Sequence, residues 1–221
     1  MSDDLSFFFL LMSNGLLIGL MYSLIALGFV LVYKATDAIN FAQGEFVMIA
    51  GFVTAGALMV WGAPLWLAVA LALVSLAFLA GFGWFFLKSR KGIAMRAVAD
   101  NQQVAMAMGI DVERYFGVAW AMTGIVSALG GILWGNLLGV DVNLALVGFK
   151  VFPVVILGGL DSIPGAIVGG LIVGVVENIA AGYIDPYVGG GTKDFAPYVL
   201  MILALMVRPY GMFGKRIIER V

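Results

Sequence analysis

Neither cysteine nor histidine occurs anywhere in the 221 residues. Their absence removes disulfide frameworks, thiolate nucleophiles, imidazole acid/base work and the common zinc sites together. Charge is also scarce. Asp, Glu, Lys and Arg make up 11% of the chain and hydrophobic residues 63%, with a mean hydropathy of +1.09, whereas soluble domains hold about 25% charged residues. Such a composition belongs in a bilayer. A net charge of -1 without a basic domain gives nucleic acid no electrostatic footprint. The phosphate-binding pattern G-x-x-x-x-G-K-[ST] is missing too, so ATP hydrolysis, if it drives this protein, belongs to another subunit. We expect no catalytic residue, no cofactor and no metal.

What is abundant is long apolar runs and 30 glycines. The first run, Phe7 to Tyr33, follows Ser2, Asp3 and Asp4 rather than a basic start, and is expected to be an uncleaved spanning helix. It is longer than a ~30 Å hydrocarbon core requires, so it must tilt, break or protrude. Phe46 to Trp61 and Pro64 to Leu87 form a hairpin about Gly62 and Ala63. A polar stretch, Lys88 to Arg114, separates them from Tyr115 to Leu138, Val147 to Leu160, Pro164 to Ile184 and Phe195 to Val207. The expected fold is all-α, a polytopic transmembrane helix bundle of about seven segments with re-entrant or broken helices possible. Residues 1–221 form a single transmembrane domain with a cytoplasmic loop at about 88–114.

Basic residues stay on the cytoplasmic side. With the amino end outside and an odd segment count, Lys34, Lys88, Arg90, Lys91, Arg96, Arg114, Arg208, Lys215, Arg216 and Arg220 all fall inside, leaving only Lys150 and Lys193 outside.

Three places depart from plain apolar helix. Gly165, Gly169, Gly170 and Gly174 form two overlapping pairs at four-residue spacing, the pattern by which helix backbones approach in lipid. Glu177, in the same helix, must face protein or water, as a structural hydrogen-bonding group or as part of a substrate route. Between the first two helices, Asn40, Phe41, Gln43, Gly44 and Glu45 read either as an irregular, partly re-entrant segment lining a route or as a solvated turn in which Asn40 caps the next helix. In the polar stretch, Ile93 to Asp111 reads as one small helix stopped by Gly109. Val104, Met108 and Val112 recur at helical spacing, giving a greasy face that suits either the membrane surface or a partner's groove.

Five blocks, taken in order, resemble one family: Ala38-Ile-Asn-Phe-Ala-Gln-Gly-Glu-Phe46, Gly92-Ile-Ala-Met-Arg-Ala-Val-Ala-Asp100, Met108-Gly-Ile-Asp111, Val155-Ile-Leu-Gly-Gly-Leu-Asp-Ser-Ile-Pro-Gly-Ala166 and Arg208-Pro-Tyr-Gly-Met-Phe-Gly214. The chain is similar to the LivH-type permease subunits of branched-chain amino acid ABC transporters. That resemblance implies an importer in a bacterial-type cytoplasmic membrane, with a second permease subunit (hetero- or homodimer), two ABC ATPase subunits and an extracytoplasmic substrate-binding protein. It implies a cargo of branched-chain or other small apolar amino acids. Urea, amides or another small solute are the alternatives within the family, and a stand-alone channel or secondary transporter the alternative outside it. The family's ATPase-contacting E-A-A-x-x-x-G loop falls on Gln103, Val104, Ala105 and Gly109, matching at the last two, which makes Asp100 to Asp111, with Ile110 and Met108, the implied coupling helix. Family members usually carry about two more hydrophobic segments between the third helix and the basic loop.

Overall fold

The computed structural model describes residues 2–61 and 88–214. The third apolar run, its Gly62–Ala63 hairpin and the basic residues Lys215, Arg216 and Arg220 lie outside the described residues. Every regular element among the described residues is a helix. In chain order these are α1 (Ser2–Thr36), α2 (Gln43–Trp61), α3 (Arg90–Asp100), α4 (Gln102–Ala107), α5 (Val112–Leu138), a 3-10 turn (Val142–Leu146), α6 (Val147–Gly158), α7 (Ile163–Tyr183), α8 (Asp185–Val188) and α9 (Thr192–Val207). The chain is an all-α, polytopic membrane protein. Three of its described helices are long and apolar enough to cross a membrane, at Asp4–Thr36, Val112–Gly135 and Ile163–Tyr183, with a shorter apolar helical stretch at Val142–Gly158.

Polar side chains mark where helices start, because each can accept from backbone N–H groups that have no partner within the helix. Ser89 Oγ accepts from Gly92 N, Asn101 Oδ1 from Val104 N, Asp111 Oδ1 from Arg114 N and Ser162 Oγ from Gly165 N, at 2.9 to 3.1 Å. The first helix resolves its excess length without breaking. Its 35 residues run on continuously, about 52 Å at 1.5 Å per residue, and residues 21–32 are buried all round, among them Ile25, Ala26, Val30 and Val32 at 0% exposure. A helix apolar on every side belongs inside the protein.

The chain divides into two compact units. One comprises residues 1–30 and 149–221. Here α7 presents glycine on two faces. A Cβ at Gly170 would meet Ser23 N at 2.7 Å, and one at Gly19 would meet Leu171 Cα at 2.8 Å, so Gly170 and Gly174 seat α7 on α1. Gly165 and Gly169 instead face Gly158 and Val154 of α6. Ser23 Oγ lies 2.7 Å from Gly19 O and 2.9 Å from Ile167 O, so its single proton is shared across the α1–α7 seam. After α9 the chain returns to α6, where Met212 N and Phe213 N donate to Leu157 O and Gly158 O at 2.8 and 3.0 Å. These bonds satisfy carbonyls that the end of α6 would otherwise leave open.

The other unit is residues 31–148. In it α2 lies along α5 with no room for side chains at the closest point, where a Cβ at Gly131 would meet Gly51 N at 2.8 Å, and the first turn of α6 closes on the start of α2, where one at Gly148 would meet Gly44 Cα at the same distance. A small apolar core of Val98, Ala105 and Val112, flanked by Ile110, Tyr115 and Phe116, ties α3, α4 and the start of α5 together.

Candidate functional site

The turn between α1 and α2 is exposed at most of its positions and buries Asn40. It occupies residues 37–42, starts from Asp37 at φ 53, and is organised by Asn40, whose Oδ1 accepts from Ala42 N at 3.1 Å. Burial within it is the reverse of composition. Polar Asn40 and Gln43 are 8% and 0% exposed, while Ile39 and Phe41 are 37% and 62% exposed. The reason is a hydrogen-bond chain into α5: Asn40 Nδ2 donates to Gln43 Oε1 at 3.2 Å, Gln43 Nε2 to Ser127 Oγ at 2.8 Å, and Ser127 Oγ to Thr123 O at 2.8 Å. Gly44 is packed against Ala145 and Gly148, and Glu45 is exposed. Asn40, Gln43 and Gly44 are therefore joined in one buried contact with α5 and the 3-10 turn, and Phe41 and Glu45 stand outside it.

Ile93 to Asp111, read above as one helix, is two. The break is Asn101, extended at φ -158, whose N–H closes α3 on Ala97 O while its side chain caps α4. Asp100 thus ends α3. Gln103, Val104 and Ala105 lie in α4, Met108 is its C-terminal cap, Gly109 and Ile110 form the turn, and Asp111 opens α5. Gly109 is left-handed at φ +78, the conformation that glycine adopts without strain. Only Ala105 of α4 is buried; Val104, Met106 and Met108 are 57%, 55% and 77% exposed. Val112, expected on this same greasy face, is turned into the core instead. The element is a short helix anchored by one alanine, with an apolar edge left exposed by the described residues beside a left-handed glycine turn.

A third constellation lies in the unit formed by residues 1–30 and 149–221. Glu177 of α7 is 0% exposed, and its Oε1 accepts from Lys150 Nζ at 3.0 Å. Lys150 also reaches Asp194 Oδ1 at 2.8 Å. Asp194 is 77% exposed, and the Lys150 ammonium beside it holds its carboxyl below the usual carboxylate range. The Tyr22 hydroxyl of α1 lies within hydrogen-bonding reach of the Glu177 carboxylate, whose second oxygen, Oε2, is buried and has no well-aligned hydrogen-bond partner among the described residues. Asn178 turns away and donates to Gly174 O at 2.9 Å. Asp185 positions the start of α9 by accepting from the N–H of Thr192 at 2.9 Å and from its hydroxyl.

Sequence reasoning singled out Glu177 and missed its partners. Lys150, assigned to the outer side within the Val147 to Leu160 run, stands in α6 and reaches Glu177; one lysine four residues into an apolar run, with one acid buried in the next, was the available signal. Ser127 gave none, since a serine in an apolar helix looks like packing. No group of three or more metal-ligating side chains occurs among the described residues.

The family described as "Branched-chain amino acid transport system / permease component" matches residues 11–75 and again 70–206. The two matches meet inside the third apolar run, so the family pattern is interrupted there. LivH, the high-affinity branched-chain amino acid transport system permease of Salmonella typhimurium, is 27% identical over 313 aligned positions that cover all of both chains. With 221 residues here, stretches of that relative have no counterpart. BraD of Pseudomonas aeruginosa, a permease of the same kind, is 35% identical over 64% of this chain and 45% of its own. More distant likenesses, at 28% and 27% identity, are the nucleoside ABC transporter permease NupC of Lactococcus lactis, over 55% of this chain and 41% of its own, and the L-arabinose permease AraH of Escherichia coli, over 65% and 42%. No solved structure matches significantly.

Proposed function

The chain belongs to the branched-chain amino acid transport permease family, a family of ABC-transporter permeases of the inner membrane, and from that premise we propose that it is the membrane-spanning subunit of an importer for branched-chain or other small apolar amino acids. Energy comes from separate ATPase subunits, because this chain has no nucleotide-binding loop of its own. The observation that carries this reading is the uncovered apolar edge of α4, Val104, Met106 and Met108, next to left-handed Gly109. Flexible thioether side chains on a short exposed helix suit a groove in a partner protein. Such an edge, docked on an ATPase, would let nucleotide-driven closure bias the bundle between two states, which is coupling in the thermodynamic sense.

The rest of the assembly follows the same reading: a second permease subunit, two ATPases, and a binding protein that delivers cargo from outside. In our reading residues 1–221 act as one transmembrane domain, with the amino end outside and the carboxyl end cytoplasmic, as the distribution of Lys and Arg favours. The Asn40–Gln43–Ser127 chain is then structural support at the cytoplasmic end of α2 rather than a lining of the route. The names of NupC and AraH favour a second cargo class within the family, a nucleoside or a sugar. Purification from the native membrane tests the importer: two ATPase subunits should travel with the chain, and uptake of tritiated L-leucine should require ATP. Isolation without any ATPase would return the chain to a stand-alone channel or carrier, and ATP-driven uptake of a nucleoside or arabinose but not leucine would select the second cargo.

A further inference from the structure

The Lys150–Glu177–Asp194 cluster is unbalanced as a structural strut. One ammonium serves two carboxylates, at 3.0 and 2.8 Å, leaving one excess negative charge. The buried member, Glu177, has the neutral Tyr22 hydroxyl nearby but no cationic donor on Oε2 among the described residues, and a buried carboxylate oxygen without a well-aligned donor costs desolvation that pairing should repay. Meanwhile the second carboxylate on Lys150 is an exposed one, Asp194, which water would solvate equally well. An acceptor in need of a cationic donor therefore sits beside an ammonium that can exchange one anionic partner for another. An α-amino acid carries the complementary pair of groups on adjacent atoms, an ammonium and a carboxylate.

We infer that Glu177 and Lys150 form the recognition site for the zwitterionic head of an amino acid: Glu177 Oε2 accepts from the ligand's ammonium, Lys150 Nζ donates to its carboxylate, and Asp194 holds the carboxylate position until the ligand arrives. The assignment deepens the importer reading and rests on it. Placement agrees. Lys150 lies near the start of α6, Glu177 near the end of α7 and Asp194 at the start of α9, which is the end that the proposed orientation turns outward, toward delivered cargo. No covalent step is involved; the exchange is of charge-assisted hydrogen bonds, one carboxylate for another.

The test uses the complete importer in cells lacking other leucine uptake, with tritiated L-leucine as probe. Three readouts accompany uptake: the amount of chain in the membrane, the ATPase subunits bound to it, and ATP hydrolysis without leucine. Glu177→Gln keeps the shape and one acceptor but loses the charge, and should lower leucine uptake at least tenfold with the other three readouts unchanged. The double exchange Lys150→Glu with Glu177→Lys keeps an ion pair but not a site of fixed polarity, so it should reach the membrane in normal amount and still not support uptake. Should Glu177→Gln fail to reach the membrane, the exposed Asp194→Asn carries the test. It removes the competing carboxylate and should lower the half-saturating leucine concentration several-fold. Wild-type uptake by Glu177→Gln, full recovery by the double exchange, or an unchanged or raised half-saturating concentration in Asp194→Asn would each overturn the site while leaving the importer standing. A wild-type complex that carries no leucine overturns the cargo reading, and the site with it.

Discussion

Replacing Gln43 by leucine would leave Asn40 Nδ2 and Ser127 Oγ each short of a partner in a place where neither meets water. The expected loss is about 1 to 3 kcal/mol of stability, the usual range for an orphaned buried polar group. Ser127→Ala removes a single hydroxyl and should lose less, and the pair should be non-additive because both changes break the same chain. Thermal unfolding of the detergent-solubilised protein measures both. Asn40→Leu should likewise reduce the amount of folded chain, so a fall in uptake alone would contradict the supporting role argued for this residue. The charged cluster makes a sharper contrast. Lys150→Met strands a fully buried carboxylate, a change worth about 3 to 5 kcal/mol when such pairs lose one partner, and should deplete the chain from the membrane. Glu177→Gln leaves Lys150 with the exposed Asp194 and should not, and equal depletion by both variants would count against this account. The sequence marks Glu177 as a charge within an apolar helix but not its pairing with Lys150, which lies 27 residues away.

Helix interfaces here depend on the missing Cβ atoms, and neighbouring glycines are not equivalent. Gly170→Leu would drive a side chain into the backbone of Ser23 and separate α7 from α1. The expected cost is about 1 to 3 kcal/mol or more, as for other overpacked interiors. Gly56, within α2, has nothing among the described residues within 4 Å of an added Cβ, and Gly56→Ala should be neutral or stabilising by up to about 1 kcal/mol through helix propensity. A protease-resistance assay on both variants separates the two cases, and similar behaviour would mean that the glycine seam is not close-packed. Gly109 is different again: no described residue lies within 4 Å of an added Cβ there, so Gly109→Val meets the backbone cost of a left-handed β-branched residue, about 1 to 2 kcal/mol. The variant should insert and fold, yet misdirect α4 and lose ATPase subunits on co-purification; full retention with normal transport would make α4 a plain surface helix. Element type and order were legible from apolar run length and from Ser, Asn and Asp at helix starts. The break at Asn101 was not, because its residues favour helix on both sides and only the double use of one asparagine, closing α3 and capping α4, divides them.

At the scale of the whole chain, the absence of cysteine makes topology directly measurable. Ser2→Cys should react with an impermeant maleimide from outside and Val221→Cys only after access to the cytoplasmic side. Labelling of both from one face would contradict the orientation drawn from the basic residues. Membrane residence and family were readable from composition and from five short blocks, since both survive in local sequence. The burial of Asn40 and Gln43 was not, because hydrophobicity assigns polar residues to water and cannot anticipate a hydrogen-bond chain from another helix. The division of the chain also has a bearing on time. Residues 31–148 are contiguous, whereas the other unit joins the first 30 residues to those after 148 and is fastened by Met212 and Phe213 on the end of α6. During synthesis at about 10 residues per second, the glycine face of α1 must wait more than ten seconds for α7 to emerge, and α6 waits several more for its last carbonyls to be capped. The contiguous unit can fold first, on the ribosome's schedule, and the discontinuous one only after Met212 and Phe213 have been made.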